Sequence, residues 1–363
     1  MLARGVQRMA KTLRNVYGRL CSFENLWEAY RKARRGKRYG LPAAWFDRDA
    51  ETRLLTLRDE LLERRYRPGV YHNFVIREPK RRVVSAAPFR DRVVHHALVN
   101  VLEPFYEARF SSASYACRKG MGTHAAMERA HWGVRNVKYL LKGDLVKFFP
   151  SVDHAVMKGV LSKRVGDAGV LWLAETIIDS GRGILEGECP PMWFAGDDLL
   201  APSARERGLP IGNLTSQFFA NVLLDELDRF VEERVKPRHY VRYSDDCLLF
   251  DDDAGRLAEA KALITERLDG LRLKLHPTKT AVRASGQGVV FLGFRLLPQT
   301  RRIARNSISR FRRRVRRVRA ATRADRRSVD FGRVMASVRG WVVHASNANT
   351  HALVREVLRG SVF

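Results

Sequence analysis

The residues best suited to chemistry are two adjacent carboxylates in the segment Tyr243-Ser244-Asp245-Asp246. Short apolar runs lie on both sides of this segment, and that pattern predicts a β-hairpin with the acids at its turn. Adjacent acids repel each other unless a cation lies between them, and Mg²⁺ is usually held by one or two carboxylates together with phosphates. The alternative is a solvated turn, because Asp is a common turn former.

A third carboxylate decides between these interpretations. Asp144 closes another apolar run, Tyr139-Leu140-Leu141, which predicts a buried strand with the acid at its end. Two-metal phosphoryl transfer needs carboxylates from different segments of the chain, with the metals about 3.5–4 Å apart. Asp144 alone could be an ordinary strand-end cap. Together with a distant Asp-Asp turn in a strongly basic chain, it predicts a metal site for phosphoryl transfer.

The charge of the chain indicates its partner. The 363 residues are 45% hydrophobic and carry a net charge of +28, which favours nucleic acid as a ligand over the rival, an anionic membrane surface. There is no apolar run of about 18 residues to span a membrane, and the basic N-terminus lacks the apolar core of a secretory signal. Four scattered cysteines predict neither a zinc site nor disulfides, and they favour a cytoplasmic location.

Half of the net charge lies in the last sixth of the chain. Residues 301–363 contain 17 arginines, no lysine and three acids. A solvated helix face could also be basic. The exclusive use of Arg favours phosphate binding, because guanidinium makes bidentate contacts that ammonium cannot.

Apolar periodicity predicts mixed helices and strands without strict βαβ alternation, and therefore an α+β fold with an antiparallel sheet. Asp153 is predicted to cap a helix. The predicted strands are 71–76, 82–85, 137–145, 271–275 and 289–297, in addition to the hairpin at 240–250. The predicted helices, besides those in residues 1–68, are 91–109, 213–231, 254–270, 304–322 and 328–360.

These segments resemble the motifs of reverse transcriptases, in the order typical of that family. Lys142 to Asp153 and Tyr243 to Asp246 resemble the two catalytic motifs. The other matching segments are 77–91 (fingers), 115–124, 276–280 and 291–294 (primer grip). The resemblance covers roughly residues 20–360 and implies a right-hand polymerase fold with an antiparallel palm sheet. It implies a helical N-terminal extension over 1–69, fingers and palm over 70–297, and an Arg-rich helical thumb over 298–363.

The resemblance also implies roles for individual residues. Two Mg²⁺ ions, or Mn²⁺, would be held by Asp144, Leu145, Asp245 and Asp246, and Lys279 could protonate the leaving pyrophosphate. Phe149 would exclude a ribose 2′-hydroxyl, although it could equally be a core residue. The other implied nucleotide-binding residues are Lys80, Arg82, Ile211, Gly212 and Gln217. The implied nucleic-acid contacts are Tyr243, Ser244, Phe291, Leu292, Gly293, Arg312, Arg313 and Arg316.

One departure from the family narrows the resemblance. Most reverse transcriptases have Gln-Gly-x-x-x-Ser-Pro before the Asp-Asp hairpin, whereas this chain has Ile211-Gly212-Asn213 followed by Leu-Thr-Ser-Gln. The variant resembles the enzymes of diversity-generating retroelements, which misincorporate opposite template adenines. An apolar residue replaces a hydrogen-bonding one, which should lower discrimination by about 1–3 kcal/mol. The structural alternative is a strand-to-helix turn with Asn213 as the cap. The residue type at Ser244 remains unexplained.

The implied ligands are template RNA, cDNA product and dNTPs, with a basic oligomeric accessory protein and a structured retroelement RNA as further partners. The nearest alternative is a related bacterial reverse transcriptase of phage defence or group II intron descent. Because no C-terminal nuclease pattern follows the last motif, we do not expect a full mobile-intron protein. A non-catalytic RNA-binding scaffold and a two-metal nuclease are more remote alternatives.

Overall fold

The computed structural model describes residues 12–37, 40–77, 80–324, 331–350 and 355. It is 54% helical with antiparallel sheets, which confirms the predicted α+β class. The chain forms two compact units, and each is assembled from separate stretches of sequence. The first unit comprises Met1–Cys117, Leu145–Arg234 and Ile264–Leu275, and the second comprises Arg118–Asp144, Val235–Leu263 and His276–Phe363.

The first unit is mainly helical. Its central helix is α5 (Phe89–Glu107), whose buried residues Val94, Leu98 and Leu102 recur every four positions. This apolar face packs against α2 (Phe23–Arg34) and α11 (Leu214–Phe230). The remaining helices of this unit are α1 (Tyr17–Cys21), α3 (Leu41–Asp47), α4 (Ala50–Leu62), α7 (Phe148–Ser151), α8 (His154–Ser162), α9 (Ala168–Asp179) and α10 (Ala201–Ala204). None of the helices in the described ranges is long and apolar enough to cross a membrane.

A two-stranded hairpin also belongs to the first unit. Strands β1 (His72–Ile76) and β2 (Arg82–Ala86) pair antiparallel, and most of their side chains are at least partly exposed. An isolated hairpin is only marginally stable in water. This one is anchored by the Ser85 N–H, which donates to the carbonyl of Ile211 at 2.8 Å. The hairpin is therefore held beside the segment that precedes α11.

The second unit contains a four-stranded antiparallel sheet in the order β4-β5-β3-β6. Its strands are β4 (His239–Tyr243), β5 (Asp246–Asp251), β3 (Tyr139–Asp144) and β6 (Ala281–Ala284). Helix α6 (Thr123–Asn136) packs on this sheet, with Gly133 directly against the ring of Phe250. Between β5 and β6 lies α12 (Ala254–Asp269). The two central strands carry predicted catalytic acids at their termini: β3 ends at Asp144 and β5 begins at Asp246.

A smaller sheet and two helices follow in the same unit. Strands β7 (Val289–Phe291), β8 (Phe294–Leu296) and β9 (Arg301–Ile303) form an antiparallel meander. Helices α13 (Arg305–Ala324) and α14 (Phe331–Ala345) pack through Phe311 and Trp341, whose rings stack with their centroids 4.0 Å apart. The buried residues of α13, Phe311 and Val315, are four positions apart, so the arginines between them are on other faces of the helix.

Most predicted elements are present, but two predicted strands are wrong and the last predicted helix is shorter. Residues 271–275 are not a strand, because Arg272 has a positive φ of 53° that an extended strand cannot contain. The predicted strand 289–297 is instead the hairpin β7–β8. It turns at Leu292 and Gly293, which both have positive φ. The last predicted helix, 328–360, ends at Ala345 as α14, and part of the predicted range lies outside the described residues.

Candidate active site

The predicted Asp-Asp hairpin is formed by β4 and β5. Tyr243 pairs with Asp246, so Ser244 and Asp245 form a two-residue turn. Of these two turn residues only Ser244 has a positive φ, 55°, as in the type II′ turns that connect tightly twisted strands. A small unbranched side chain tolerates this conformation better than a β-branched one. The turn geometry thus gives a backbone reason for the serine, whose type the sequence left unexplained.

The neighbouring strand brings Asp144 beside this turn. Asp144 on β3 is the register partner of Asp246 on β5. Directly opposed residues of an antiparallel pair share a face, with Cβ atoms about 4.5–5.5 Å apart. Two of the three predicted carboxylate ligands therefore project from adjacent strands on one side of the sheet. Asp245, in the turn next to Asp246, supplies the third carboxylate.

Two lysines balance the charge of these acids. Lys279 Nζ donates to Asp144 Oδ2 at 2.9 Å. Lys142 Nζ lies 3.9 Å from Asp246 Oδ1 and donates to the carbonyl of Val290 at 3.1 Å. Lys142 stands two positions before Asp144 on β3, so both side chains are on the same face of the sheet. The predicted general acid, Lys279, is thus in direct contact with a predicted catalytic carboxylate.

Backbone hydrogen bonds fix Asp144 in the same region. The His276 N–H donates to the Asp144 carbonyl at 2.7 Å, and the Asp144 N–H donates to Thr280 Oγ1 at 3.4 Å. His276, Thr280 and Lys279 all belong to the segment 276–280. This segment therefore holds both the backbone and the side chain of Asp144, and it positions Lys279 by the same contacts.

The donor set suits a hard divalent cation. Three carboxylates supply only oxygen ligands, which Mg²⁺ and Mn²⁺ prefer. The oxygens of Asp144, Asp245 and Asp246 do not all lie within 4.8 Å of one another. Among the described residues, a different set of side chains is that compact. Like charges repel, and each strand acid has a lysine beside it. The acids therefore fit a metal in the chemistry of their oxygens and in the register of Asp144 with Asp246. Leu145, which was also predicted as a metal ligand, is buried and belongs to the first unit.

The predicted nucleotide-binding residues belong to the first unit. Lys80 and Arg82 lie at the exposed start of β2, and the bond from Ser85 to Ile211 joins this strand to the segment 211–213. Asn213 reinforces the junction: its amide nitrogen donates to the Ser85 carbonyl at 3.1 Å, and its Oδ1 accepts from the Ala87 N–H at 3.4 Å. All six predicted nucleotide-binding residues share one unit with this junction, namely Lys80, Arg82, Phe149, Ile211, Gly212 and Gln217.

Asn213 is the N-cap residue of α11, as the structural alternative predicted, but its side chain makes no capping hydrogen bond. It is buried and bonds to the β2 segment instead. Gln217, one turn into α11, is exposed, and its Oε1 accepts from the thiol of Cys117 at 3.5 Å. Phe149 in α7 is half-buried, and its carbonyl accepts from the Leu209 N–H at 2.8 Å.

The predicted nucleic-acid contacts lie in the second unit. The Tyr243 hydroxyl shares a 3.1 Å hydrogen bond with Thr123 on α6. Phe291 is only 1% exposed, so the accessible part of the grip hairpin is the turn at Leu292 and Gly293. Beside this turn lies His344, whose pKa is lowered by burial and by the neighbouring His124. The side chains of three predicted contacts on α13 are exposed: Arg312, Arg313 and Arg316.

Comparison with known proteins decides the family. Residues 76–296 match the family described as reverse transcriptase (RNA-dependent DNA polymerase). The chain belongs to this family. The matched region of this reverse transcriptase includes all three acids, both lysines and the segment 211–217. At the general level its activity is that of an RNA-directed DNA polymerase.

Three relatives illustrate the range of similarity. The reverse transcriptase is similar to the protein YkfC of Escherichia coli, with 27% identity over 286 residues, which are 67% of this chain and 71% of that protein. It is 31% identical to nuclear intron maturase 1 of Arabidopsis thaliana over 195 residues, covering 43% of this chain and 27% of the maturase. It is 24% identical to the group II intron-encoded protein LtrA of Lactococcus lactis over 152 residues, covering 42% of this chain and 23% of LtrA. The chain thus spans only about a quarter of the latter two proteins.

Sequence reasoning gave no role to Lys142 or Thr280 in this reverse transcriptase. Lys142 stands two positions before Asp144, and strand alternation could have indicated that it shares the face of the acids. Thr280 carries no comparable signal, because its hydrogen bond to Asp144 depends on how segment 276–280 returns to β3. The ring of Phe291 was predicted to contact nucleic acid and is instead in the core.

Replacement of Gly212 by alanine is expected to impair the reverse transcriptase. Gly212 has a φ of 111°, and a Cβ at this position would lie 2.8 Å from Val84 Cγ1 on β2. The left-handed conformation and the clash together should cost about 1–3 kcal/mol and displace the segment 211–213 from β2. Thermal unfolding measures the loss, with Gly187→Ala, which meets open space, as the control. Equal melting temperatures for both variants would show that the close approach is unimportant.

Proposed function

We propose that this reverse transcriptase copies RNA into cDNA with low fidelity opposite template adenines, as an enzyme of a diversity-generating retroelement. The observation that carries the proposal is the segment Ile211-Gly212-Asn213, which the hydrogen bonds from Ser85 and Asn213 hold against β2. Lys80 and Arg82, the predicted triphosphate ligands, lie at the start of the same strand. An apolar side chain at Ile211 would thereby stand in the nucleotide pocket, where most relatives place a glutamine.

The catalytic residues act on the primer end and on the triphosphate. Asp144, Asp245 and Asp246 would hold two Mg²⁺ or Mn²⁺ ions, which when bound stabilise the charge on the attacking and leaving oxygens. Lys279, which already contacts Asp144, would donate a proton to the departing pyrophosphate. Lys142 would offset the negative charge of Asp246. Phe149 would exclude a ribose 2′-hydroxyl and select deoxynucleotides.

The fidelity of the enzyme should depend on residue 211. A hydrogen-bonding side chain discriminates by about 1–3 kcal/mol, and its loss should relax selection by about 10–200-fold. We expect Ile211→Gln to lower misincorporation at template adenines, while Ile211→Val, which keeps an apolar branched side chain, leaves it unchanged. Sequencing of cDNA copied from a defined RNA measures both. Uniformly low error in the unmodified enzyme would contradict the retroelement assignment but not the polymerase activity.

A second candidate function is favoured by the relatives. Several of them are described as intron maturases or group II intron-encoded proteins, which supports a reverse transcriptase of group II intron descent. The gene neighbourhood discriminates between the candidates. A template and variable repeat pair with a small basic accessory gene would support the diversity system, and the accessory protein and a structured RNA would then be partners. The cytoplasmic location remains part of this proposal, supported by four cysteines that form no disulfide.

The arginines of α13 are proposed to bind the phosphates of the template–product duplex. Arg313 and Arg316 are exposed, while Phe311 and Val315 face the core with Trp341. Each phosphate contact contributes about 0.7–0.9 to the slope of log affinity against log salt. The double variant Arg313→Gln/Arg316→Gln should therefore make this negative slope shallower by about 1.5. Fluorescence anisotropy with a primer–template duplex measures it. Arg58→Gln/Arg65→Gln, changed on an exposed part of the first unit, is the charge-matched control. An unchanged slope would exclude these arginines from the interface.

A further inference from the structure

His154 is a buried histidine whose second ring nitrogen has no partner. It is the first residue of α8 and is 1% exposed. Its Nε2 lies 2.9 Å from the carbonyl oxygen of Gly208. Because a carbonyl only accepts, Nε2 carries a proton. Burial lowers the pKa of His154 and favours the neutral ring, in which Nδ1 carries a lone pair. This Nδ1 is buried without a hydrogen bond, which costs about 1–3 kcal/mol.

Two carboxylates lie close to this imidazole ring. Asp179 is the last residue of α9, and Glu206 lies in the segment that bonds to the start of α8. One oxygen of each lies within 4.8 Å of the other and of a His154 ring nitrogen. Asp179 Oδ1 is 3.8 Å from Nδ1, too far for a hydrogen bond. A lone pair and two anionic oxygens repel one another, and a carboxylate at a helix C-terminus is further disfavoured by the helix dipole.

The cations already present do not resolve this arrangement. Lys158 Nζ lies 2.6 Å from Asp179 Oδ1, and an Arg182 nitrogen lies 2.6 Å from Glu206 Oε1. Neither bonds to Nδ1 of His154. The side chains of Lys158 and Arg182 are 27% and 59% exposed, so both cations can turn to solvent. Asp179 Oδ1 is itself buried and makes no hydrogen bond, so the nearby ammonium leaves it unsatisfied. A ligand that binds all three groups would replace these contacts.

We propose that His154, Asp179 and Glu206 form a binding site for a divalent transition metal such as Zn²⁺, separate from the proposed polymerase metals. With metal–ligand bonds of about 2.1 Å, tetrahedral ligands stand about 3.4 Å apart. The observed 3.8 Å between Nδ1 and Oδ1 is close to that spacing. An imidazole ligand favours Zn²⁺ over Mg²⁺. The Gly208 carbonyl orients the ring as second-sphere acceptors do at zinc sites.

The site has a positional consequence. His154 follows Asp153, which caps α8, and the three ligands come from α8, α9 and segment 206–208. A bound ion would join these three parts of the first unit. The fourth coordination position would remain for water, since the protein offers three ligands. This inference does not depend on the proposed function, because none of the three residues belongs to the polymerase site.

Zinc binding to the full-length chain tests the proposal. The chelator-treated protein is titrated with Zn²⁺ in competition with a chromophoric indicator. We expect one equivalent to bind, and Asp179→Asn or Glu206→Gln to weaken it by at least about tenfold, since even second-sphere changes cost that much. Glu186→Gln, an exposed acid of the same unit, is the matched control. Lys158→Met should tighten binding, because it removes the competing ammonium.

The carboxylate variants keep the test decisive even if His154→Gln fails to fold, because both acids are partly exposed. Co²⁺ substitution adds a second measurement, since four-coordinate Co²⁺ absorbs strongly in the visible, whereas six-coordinate Co²⁺ bound by Asp144, Asp245 and Asp246 would absorb only weakly. Zinc affinity that is the same in Glu206→Gln as in the unmodified protein would overturn the site. Weaker binding in Lys158→Met would overturn it as well, because the cluster would then be an ion-pair network.

Discussion

Replacing Asp245 or Asp246 by alanine is expected to abolish Mg²⁺-dependent dNTP incorporation while RNA binding persists. A metal supplies several kcal/mol of charge stabilisation in the transition state, and every 1.4 kcal/mol or so is a factor of ten in rate. Loss of one ligand should therefore lower incorporation by about a thousandfold or more. Primer extension measures the rate, and filter binding of template RNA measures what remains. Because binding relies on basic residues elsewhere, the two measurements should separate.

The control for this experiment is Glu259→Ala, which removes an exposed acid from α12 and leaves the β4–β5 hairpin intact. Its incorporation rate should equal that of the unmodified enzyme. Retained polymerisation in either aspartate variant would contradict the assignment of the hairpin as the catalytic centre. Loss of both incorporation and RNA binding would indicate misfolding, and Asp245→Asn and Asp246→Asn, which preserve shape, would then replace the alanine variants.

The second large effect concerns stability and Asp153. This carboxylate is 1% exposed, accepts from the Val156 N–H at 2.9 Å and from Arg272 at 2.7 Å, and lies 3.7 Å from Arg205. Removing one partner of a buried ion pair costs about 3–5 kcal/mol, and losing an N-cap costs about 1 kcal/mol. We expect Asp153→Ala to lower the free energy of unfolding by about 4 kcal/mol or more, measured by chemical denaturation.

Asp153→Asn separates the two contributions. Asparagine keeps an oxygen that can cap α8 but removes the charge that faces Arg205 and Arg272. Its free energy of unfolding should therefore fall by about 1 kcal/mol less than that of the alanine variant, because the cap is kept. Asp198→Ala, an acid whose carboxylate accepts only local backbone hydrogen bonds, provides the reference for a surface change. A small loss in Asp153→Ala would show that the arginines are satisfied by solvent.

The sequence predicted those parts of the site that depend on local pattern. Alternating apolar runs located the β4–β5 hairpin, and Asp153 was recognised as a cap because its type and position are typical of one. The contacts of Lys279 and Lys142 with the acids were not predictable, since they depend on register between distant strands. Asn213 illustrates the same limit. Its position before α11 indicated a cap, but the approach of β2 gave its side chain better partners.

Residues that adopt positive φ were another source of error. Arg272 and Leu292 interrupt two predicted strands, although neither is a glycine. Non-glycine residues rarely adopt this conformation, so their types gave no signal of a turn. In contrast, the residue type at Gly212 matches its conformation, because the backbone has a φ of 111° and a Cβ there would lie 2.8 Å from Val84 Cγ1. Register and turn position therefore needed the three-dimensional structure, whereas the fold class did not.

The strand order of the catalytic sheet has a consequence for synthesis of the chain on the ribosome. β3 is made first, yet both of its neighbours come much later: Leu140 pairs with Phe250, 110 positions on, and Lys142 pairs with Ala281. At about 5–20 residues per second, this strand waits for roughly 5–20 seconds with both edges unpaired. Such edges invite aggregation. The nascent chain therefore has a period of vulnerability that ends only after β6 has emerged.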